Sequence, residues 1–330
     1  MTEIMASIGR YPHTAALFEP GVQFGPDVAL AIEAGGTAAA SRLMLQDLAY
    51  DICEMPIANY VMARERGTRL TAMPVFTTRR FPHGMLALNN AAGAAQPADL
   101  SGKKVGIPYH GNTDVVWVRG LLQAEYGLDL DSVTWVSSLG ETIEPYIFPP
   151  NLDQHIGSSL GEMLLSGELA GLVEGRGRTI FADGIEGIEQ DAPAAEKRWY
   201  EKTGVFPVLF TVVMRDDLAG TRRELCAAIF SAFVTAKLRA LADIDAGTAL
   251  SEEGQAAAAV SGFRTEAADR WPRSYLGPDP LRYGLAANYG ALDMLCGFMA
   301  GQGLTRARTR PEDVFLDLEE ADVPGLEVTA

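Results

Sequence analysis

The sequence predicts an α/β protein of two units with a helical C-terminal portion. Short apolar runs alternate with helical stretches, which suits a mostly parallel sheet covered on both faces. Two strand-like crossings, near residues 84 and 206, split the chain into a discontinuous domain (1–84 and 206–330) and an inserted one (85–205). Everything after Asp217 carries helical periodicity. At 330 residues and 48% hydrophobic, the chain can bury one large core or two modest ones.

The run Ile4 to Ile8 reads as a strand, with Arg10, Tyr11, His13 and Thr14 at the corner that follows. Asp27 to Ile32 is a second strand, Thr37 to Gln46 a helix and Tyr50 to Cys53 a third strand. Pro56 opens a helix to Arg66 that Gly67 stops. Leu70 to Phe76 is strand-like, and TTRRFPHG turns a polar corner before the strand Met85 to Leu88. Between Lys103 and Tyr126 the chain predicts a strand (KKVGI), a turn (PYHGN) and a helix from Thr113, capped by Asn112 or Thr113. Such a turn offers free N–H groups to a carboxylate or phosphate, with His110 and Asp114 alongside. Strands follow at Val133 to Val136 and Ala170 to Val173, the latter ending in EGRGR, with a helix near Ser158 to Ser166 between them. The crossing GVFPVLFTVVM leads to helices Arg222 to Ala242, Glu252 to Val260 and Tyr283 to Ala300.

Charge narrows the functional classes. With 27 Lys and Arg against 43 Asp and Glu, the net charge is -16, which repels nucleic acid and anionic membranes. An anionic ligand therefore needs a local positive cluster. Residues after the predicted strands supply one: Arg10, Tyr11, His13 and Thr14; Arg79, Arg80 and His83; His110 and Asp114; Arg176 and Arg178. In open α/β sheets ligands bind at those strand ends. Glu54, at another such end, is a base, an orienting group for a histidine or an arginine partner. A guanidinium fork on Arg79 or Arg80 matches a carboxylate, and His83 in its partly apolar corner can move a proton near neutral pH.

Several motifs are missing. Cys53, Cys226 and Cys296 have no CxxC spacing, and no HxH or HExxH pattern supports a metal. GxGxxG and GxxxxGK[ST] are absent from any strand-to-helix setting, as is GxSxG, so no cofactor is expected and a serine hydrolase is disfavoured. The start, MTEIMASIGRYPH, shows no export signal and no stretch is read as spanning a bilayer, so a cytoplasmic location is expected. The small and apolar residues of YGLAANYGALDMLCGFM suit either the core or a homodimer face.

The stretches GRYPHTAAL, YDICEMPIANYVMARERG, MPVFTTRRFPHG, GKKVGIP with TDVVWVRGLLQAEYG, GELAGLVEGRGR and TGVFPVLFTVVMRDDL resemble the 4,5-dihydroxyphthalate decarboxylase family of the type II periplasmic-binding-protein-like superfamily. This resemblance covers nearly the whole chain in order. It implies two lobes closing over a central cleft and decarboxylation of an aromatic diacid. Positions that match its pattern are Tyr11, Thr14, Glu54, Arg79, Phe81, His83, Thr113, Trp117, Arg119 and Arg176. Departures are YHGN in the turn before the Thr113 helix, Pro82 and Gly84, where ring substituents would be read.

Direct loss of CO2 from an aromatic ring leaves an unstabilised aryl anion, so protonation of the carboxyl-bearing carbon comes first, driven by a para hydroxyl. Such a route needs a proton donor, an acceptor for the phenol and a cationic clamp for the remaining carboxylate. The expected roles are Arg79 and Arg176 as clamp, His83 as donor, Glu54 as base or orienting group and His110 as auxiliary acid or base. Tyr11, Thr14, Thr113, Asp114, Arg80 and Arg178 are expected to line the substrate site. A binding protein for the same aromatic carboxylate, or another small-molecule enzyme, stays open.

Overall fold

In the computed structural model, the described residues are 2–19, 24, 28–35, 38–174, 182–221, 223–246, 251–261 and 273–323. They form two compact units, one of residues 1–80, 208–293 and 310–330, the other of residues 81–207 and 294–309. The crossings thus lie a few residues from the expected ones, and one C-terminal piece departs from expectation by joining the second unit. Local pairing explains that piece. Tyr146 N–H donates to Leu304 O and Ile147 N–H to Gly303 O, at 3.2 and 2.9 Å. Gln302 Nε2 donates to Val116 O at 3.0 Å. A Cβ on Gly120 would stand 2.2 Å from the Phe298 ring, so only glycine admits that close approach.

The first unit is built on a five-stranded sheet of β1 (Thr2–Ile8), β2 (Val28–Ala34), β3 (Ile52–Pro56), β4 (Leu70–Arg79) and β11 (Val208–Arg215), in the order β2-β1-β3-β11-β4. β11 runs antiparallel to both β3 and β4, while β1 pairs in parallel with β2 and β3. The carboxyl ends of β1, β2, β3 and β4 therefore share one edge. Helices α1 (Ala38–Asp47) and α2 (Ile57–Glu65) connect the early strands. Pro56 closes β3, opposite Phe210, and caps α2 from outside instead of opening it.

After β11 come α6 (Asp216–Thr221), α7 (Arg223–Asp245), α8 (Glu252–Ser261), α9 (Arg273–Leu276) and α10 (Leu285–Gly301). Contrary to expectation, α7 is long and apolar enough to cross a membrane by length and composition. Its apolar side has a nearer destination: Leu225, Ile229, Phe230, Phe233 and Val234 pack with Ile4, Ile8, Met73 and Val212 in the first unit's core. Lys237 on the same helix is fully buried and ion-paired with Asp279 and Glu320. Leu292, Leu295, Cys296 and Met299 of α10 are likewise buried.

The second unit carries β5 (Leu86–Asn89), β6 (Lys104–Ile107), β7 (Thr134–Ser137), β8 (Leu152–Gln154), β9 (Gly171–Val173) and β10 (Ile185–Gly187), ordered β10-β5-β9-β6-β7-β8. Parallel pairing joins β9, β6, β7 and β8; β5 alone is reversed, antiparallel to β9 on one side and to β10 on the other. Because β5 is antiparallel to β9, its start lies at the edge where β6 to β9 end. His83, just before β5, shares that edge with the turn after β6. Helices α3 (Thr113–Tyr126), α4 (Leu160–Leu165) and α5 (Ala192–Thr203) flank the sheet.

The stretch from Lys104 to Gly127 folds as its sequence dictates. Asn112 Oδ1 accepts the N–H groups of Asp114 and Val115 at 2.9 and 3.3 Å, and Gly127 ends the helix at φ 66°.

Candidate functional site

In the first unit the strand ends converge on a buried carboxylate. Glu54 has no solvent exposure, and three donors face it: the Gly9 amide at 2.6 Å, the Tyr11 hydroxyl at 2.9 Å and the Thr77 hydroxyl at 2.6 Å. Burial raises its pKa, against the pull of those hydrogen bonds. A Cβ at Gly9 would meet the Tyr11 ring at 2.4 Å, which explains the glycine. Tyr11 stacks on His13 at 5.4 Å, and His13 Nε2–H donates to Thr77 O at 3.0 Å. Burial pushes the His13 pKa down to about 3, so its ring is neutral. Thr14 donates to Gly9 O at 2.6 Å and accepts the Tyr11 amide at 2.8 Å. These bonds give Thr14 the job of shaping the turn that presents Tyr11.

Arg79, at the end of β4, is nearly inaccessible. Its Nη2 donates to Arg282 O at 2.8 Å and to Asn288 Oδ1, and its guanidinium lies 5.3 Å from the Phe76 ring centroid. Arg80 is half-buried. A pocket of about 240 Å³ opens beside the first turn, lined by Arg10, Tyr11, Pro12 and Ala15 with Ala240, Asp243, Ser251 and Gly254.

The second unit holds the two other expected histidines in contrasting states. Both His110 nitrogens are engaged: Arg119 Nη1 donates to Nδ1, and Nε2–H donates to Gln302 O at 3.1 Å. Burial and the adjacent guanidinium hold its pKa near about 2. An imidazole with both nitrogens bonded within the protein is a poor acid or base, so the geometry speaks for a structural His110. Burial also drops Arg119 to about 9. The turn expected to receive a ligand's anion is filled from within, since Glu141 accepts the amides of His110 and Gly111. Thr113 and Asp114 are buried in the first turn of α3.

His83 differs. It too has no exposure, but Nε2 lies 3.1 Å from Glu125 Oε2 while Nδ1 has no partner among the described residues. Phe81 and Trp199 stand beside the ring, at 6.4 and 6.1 Å between centroids. Burial lowers its pKa, opposed by Glu125. A neutral imidazole with one bare nitrogen can accept a proton and return it.

Arg176 and Arg178 lie outside the described residues. Glu54 is a hub for Tyr11 and Thr77 and is not the partner of a histidine; that partner is Glu125, missed in the sequence. Its signal was available, because an acidic residue in the last turn of a helix opposes the helix dipole and asks for a reason. Glu141 and Asn288 carried no comparable signal. Among the described residues, no group of three or more His, Cys, Asp or Glu side chains could hold a metal ion.

No family model matches the chain. A 4,5-dihydroxyphthalate decarboxylase from Comamonas testosteroni is 26% identical over 328 residues, 95% of this chain and 96% of its own. Another from Pseudomonas putida is 33% identical over 163 residues, covering 46% of this chain and 63% of its own. The chain is similar along nearly its whole length to a 4,5-dihydroxyphthalate decarboxylase.

Solved structures match the chain's architecture. The desulfurization enzyme DSZB matches with a TM-score of 0.58 at 14% identity, covering 96% of this chain and 97% of that one. The periplasmic sulfonate-binding protein SsuA from Methylobacillus flagellatus matches at 0.52 and 12%, covering 96% and 92%. Such identities speak for the fold alone, the expected type II periplasmic-binding-protein-like α/β architecture.

Proposed function

We propose that the chain is a cofactor-independent decarboxylase of a hydroxylated aromatic diacid, 4,5-dihydroxyphthalate or a close relative. The observation that carries this reading is the end-to-end similarity to the Comamonas decarboxylase. The half-satisfied, buried imidazole of His83 suits the chemistry. In the proposed route a proton reaches the carboxyl-bearing ring carbon, the bond to the carboxyl group breaks, and its electrons restore the aromatic ring as CO2 leaves. One proton is consumed for each CO2 released.

His83 is assigned the proton transfer. Because its resting form is neutral, it must first take up the proton that it donates, from the substrate's phenol or from solvent. Arg79 and Arg176 are assigned the clamp on the retained carboxylate. Glu54 is assigned an orienting role toward Tyr11, which suits a carboxylate already receiving three hydrogen bonds. Tyr11, Thr14, Thr113, Asp114, Arg80 and Arg178 belong to the proposed substrate surroundings, and His110 to the scaffold.

The test is CO2 release on incubating purified protein with 4,5-dihydroxyphthalate and with aromatic diacids of other hydroxylation patterns, before and after dialysis against a chelator. Binding of these acids without CO2 release would replace the decarboxylase by a binding protein. Loss of turnover on chelation would overturn cofactor independence. The reading includes a cytoplasmic location, tested by cell fractionation, and a homodimer, tested by light scattering in solution.

A further inference from the structure

The least explained buried group in the second unit is His83. An imidazole used only as a strut has its nitrogens satisfied, as His110 shows with Arg119 and Gln302. His83 leaves Nδ1 bare with no exposure to solvent, a costly arrangement unless something uses that atom. Its other nitrogen lies 3.1 Å from Glu125 Oε2. A carboxylate only accepts, so the proton must sit on Nε2 and the lone pair on Nδ1. Glu125 occupies the last turn of α3, which has no basic residue to balance it against the helix dipole.

We propose that Glu125 is a positioning residue that fixes the His83 tautomer, so that Nδ1 is the atom that exchanges a proton with the substrate. This rests on the decarboxylase reading with His83 as the proton-transfer group. Other charges around the ring do not take this role. Glu189 accepts the Tyr126 hydroxyl at 2.6 Å and lies 3.6 Å from Arg198, so these two largely offset each other at His83. Trp199 meets the imidazole edge-on and supplies a wall, its own Nε1 lacking a partner among the described residues. Glu125 keeps 22% of its side chain exposed, so replacing it need not disrupt a core.

The full chain has four histidines, few enough for each to be followed by 15N–1H NMR, with His83→Asn identifying the His83 signals. In the unaltered protein His83 is expected to show a protonated Nε2 and a bare Nδ1. Glu125→Gln should lower the protonation midpoint of His83 and mix its tautomers. The same change should reduce kcat about tenfold to a hundredfold, keep KM within about threefold and shift the acidic limb of the pH profile. Glu125→Asp should recover part of the loss. An unchanged His83 tautomer and midpoint in Glu125→Gln would overturn the inference, as would an altered tautomer with kcat intact. Full turnover in His83→Asn would instead sink the catalytic reading beneath it, while the NMR comparison would still report whether Glu125 sets the tautomer.

Discussion

Glu141 spans two consecutive amides, one carboxylate oxygen 2.6 Å from His110 N and the other 2.8 Å from Gly111 N. The turn before α3 thus binds an anion that the chain itself provides. Glu141→Ala leaves two partly buried donors without acceptors and is expected to cost about 1–3 kcal/mol of stability. Urea unfolding measures this, and an unchanged midpoint would show that solvent satisfies the turn equally well.

His13 and His110 should set an acid limb of stability. Both folded values, about 3 and about 2, lie below the ordinary 6.5, so their contribution is complete above pH 6.5 and is lost as pH falls. Glu54 and Glu141, raised above 4.5 by burial, act in the opposite sense, contributing most below that pH and losing it as pH rises through their folded values. Urea midpoints at pH 7, 6 and 5 should decline in the unaltered protein and decline less in a His13→Gln, His110→Asn double variant. Parallel slopes would mean that neither ring is held neutral.

His83→Asn should lower kcat by at least about a hundredfold, the scale of general acid–base catalysis, while the substrate dissociation constant stays within a few-fold. Calorimetric titration alongside CO2 release separates the two. Near-normal turnover would remove His83 from the chemistry.

Arg79→Ala should have two effects. Loss of the bonds to Arg282 O and Asn288 should cost about 1–3 kcal/mol of stability. If Arg79 also clamps a carboxylate, diacid binding should weaken by about tenfold or more. Asn288→Ala is the control, since it perturbs the same contact with the guanidinium left in place. Equal binding in both variants would reject the clamp.

Lys237→Met should be among the most damaging single changes, about 3–5 kcal/mol, because it strands Asp279 and Glu320 beside each other after removing the cation between them. Thermal unfolding checks this. A further Asp279→Asn change should recover part of the loss.

Much of the fold was legible because its signals are local. From Lys104 to Gly127 the strand, the Asn112 cap and the glycine stop are written in adjacent residues, and the apolar strands announced a parallel sheet. Boundaries moved where a partner strand decided them, as at β3, whose ends follow its pairing with β1 and β11. The long-range partners were not legible. Glu125 is 42 residues from His83, and Glu141 is 31 from His110. No periodicity links such positions, and only packing brings them together. Apolarity is ambiguous in α7, where one composition is long and apolar enough to cross a membrane and equally suits a helix that a domain core covers.

The placement of β11 constrains how the chain can be made. Its eight residues insert between β3 and β4, so the sheet begun by the first eighty residues has a gap until residue 215 has left the ribosome. In that interval β3 and β4 present open edges, and the intervening unit still awaits residues 294–309. Neither unit therefore has all its parts until the residues from 294 onward have been made, and until then unpaired strand edges are open to other chains.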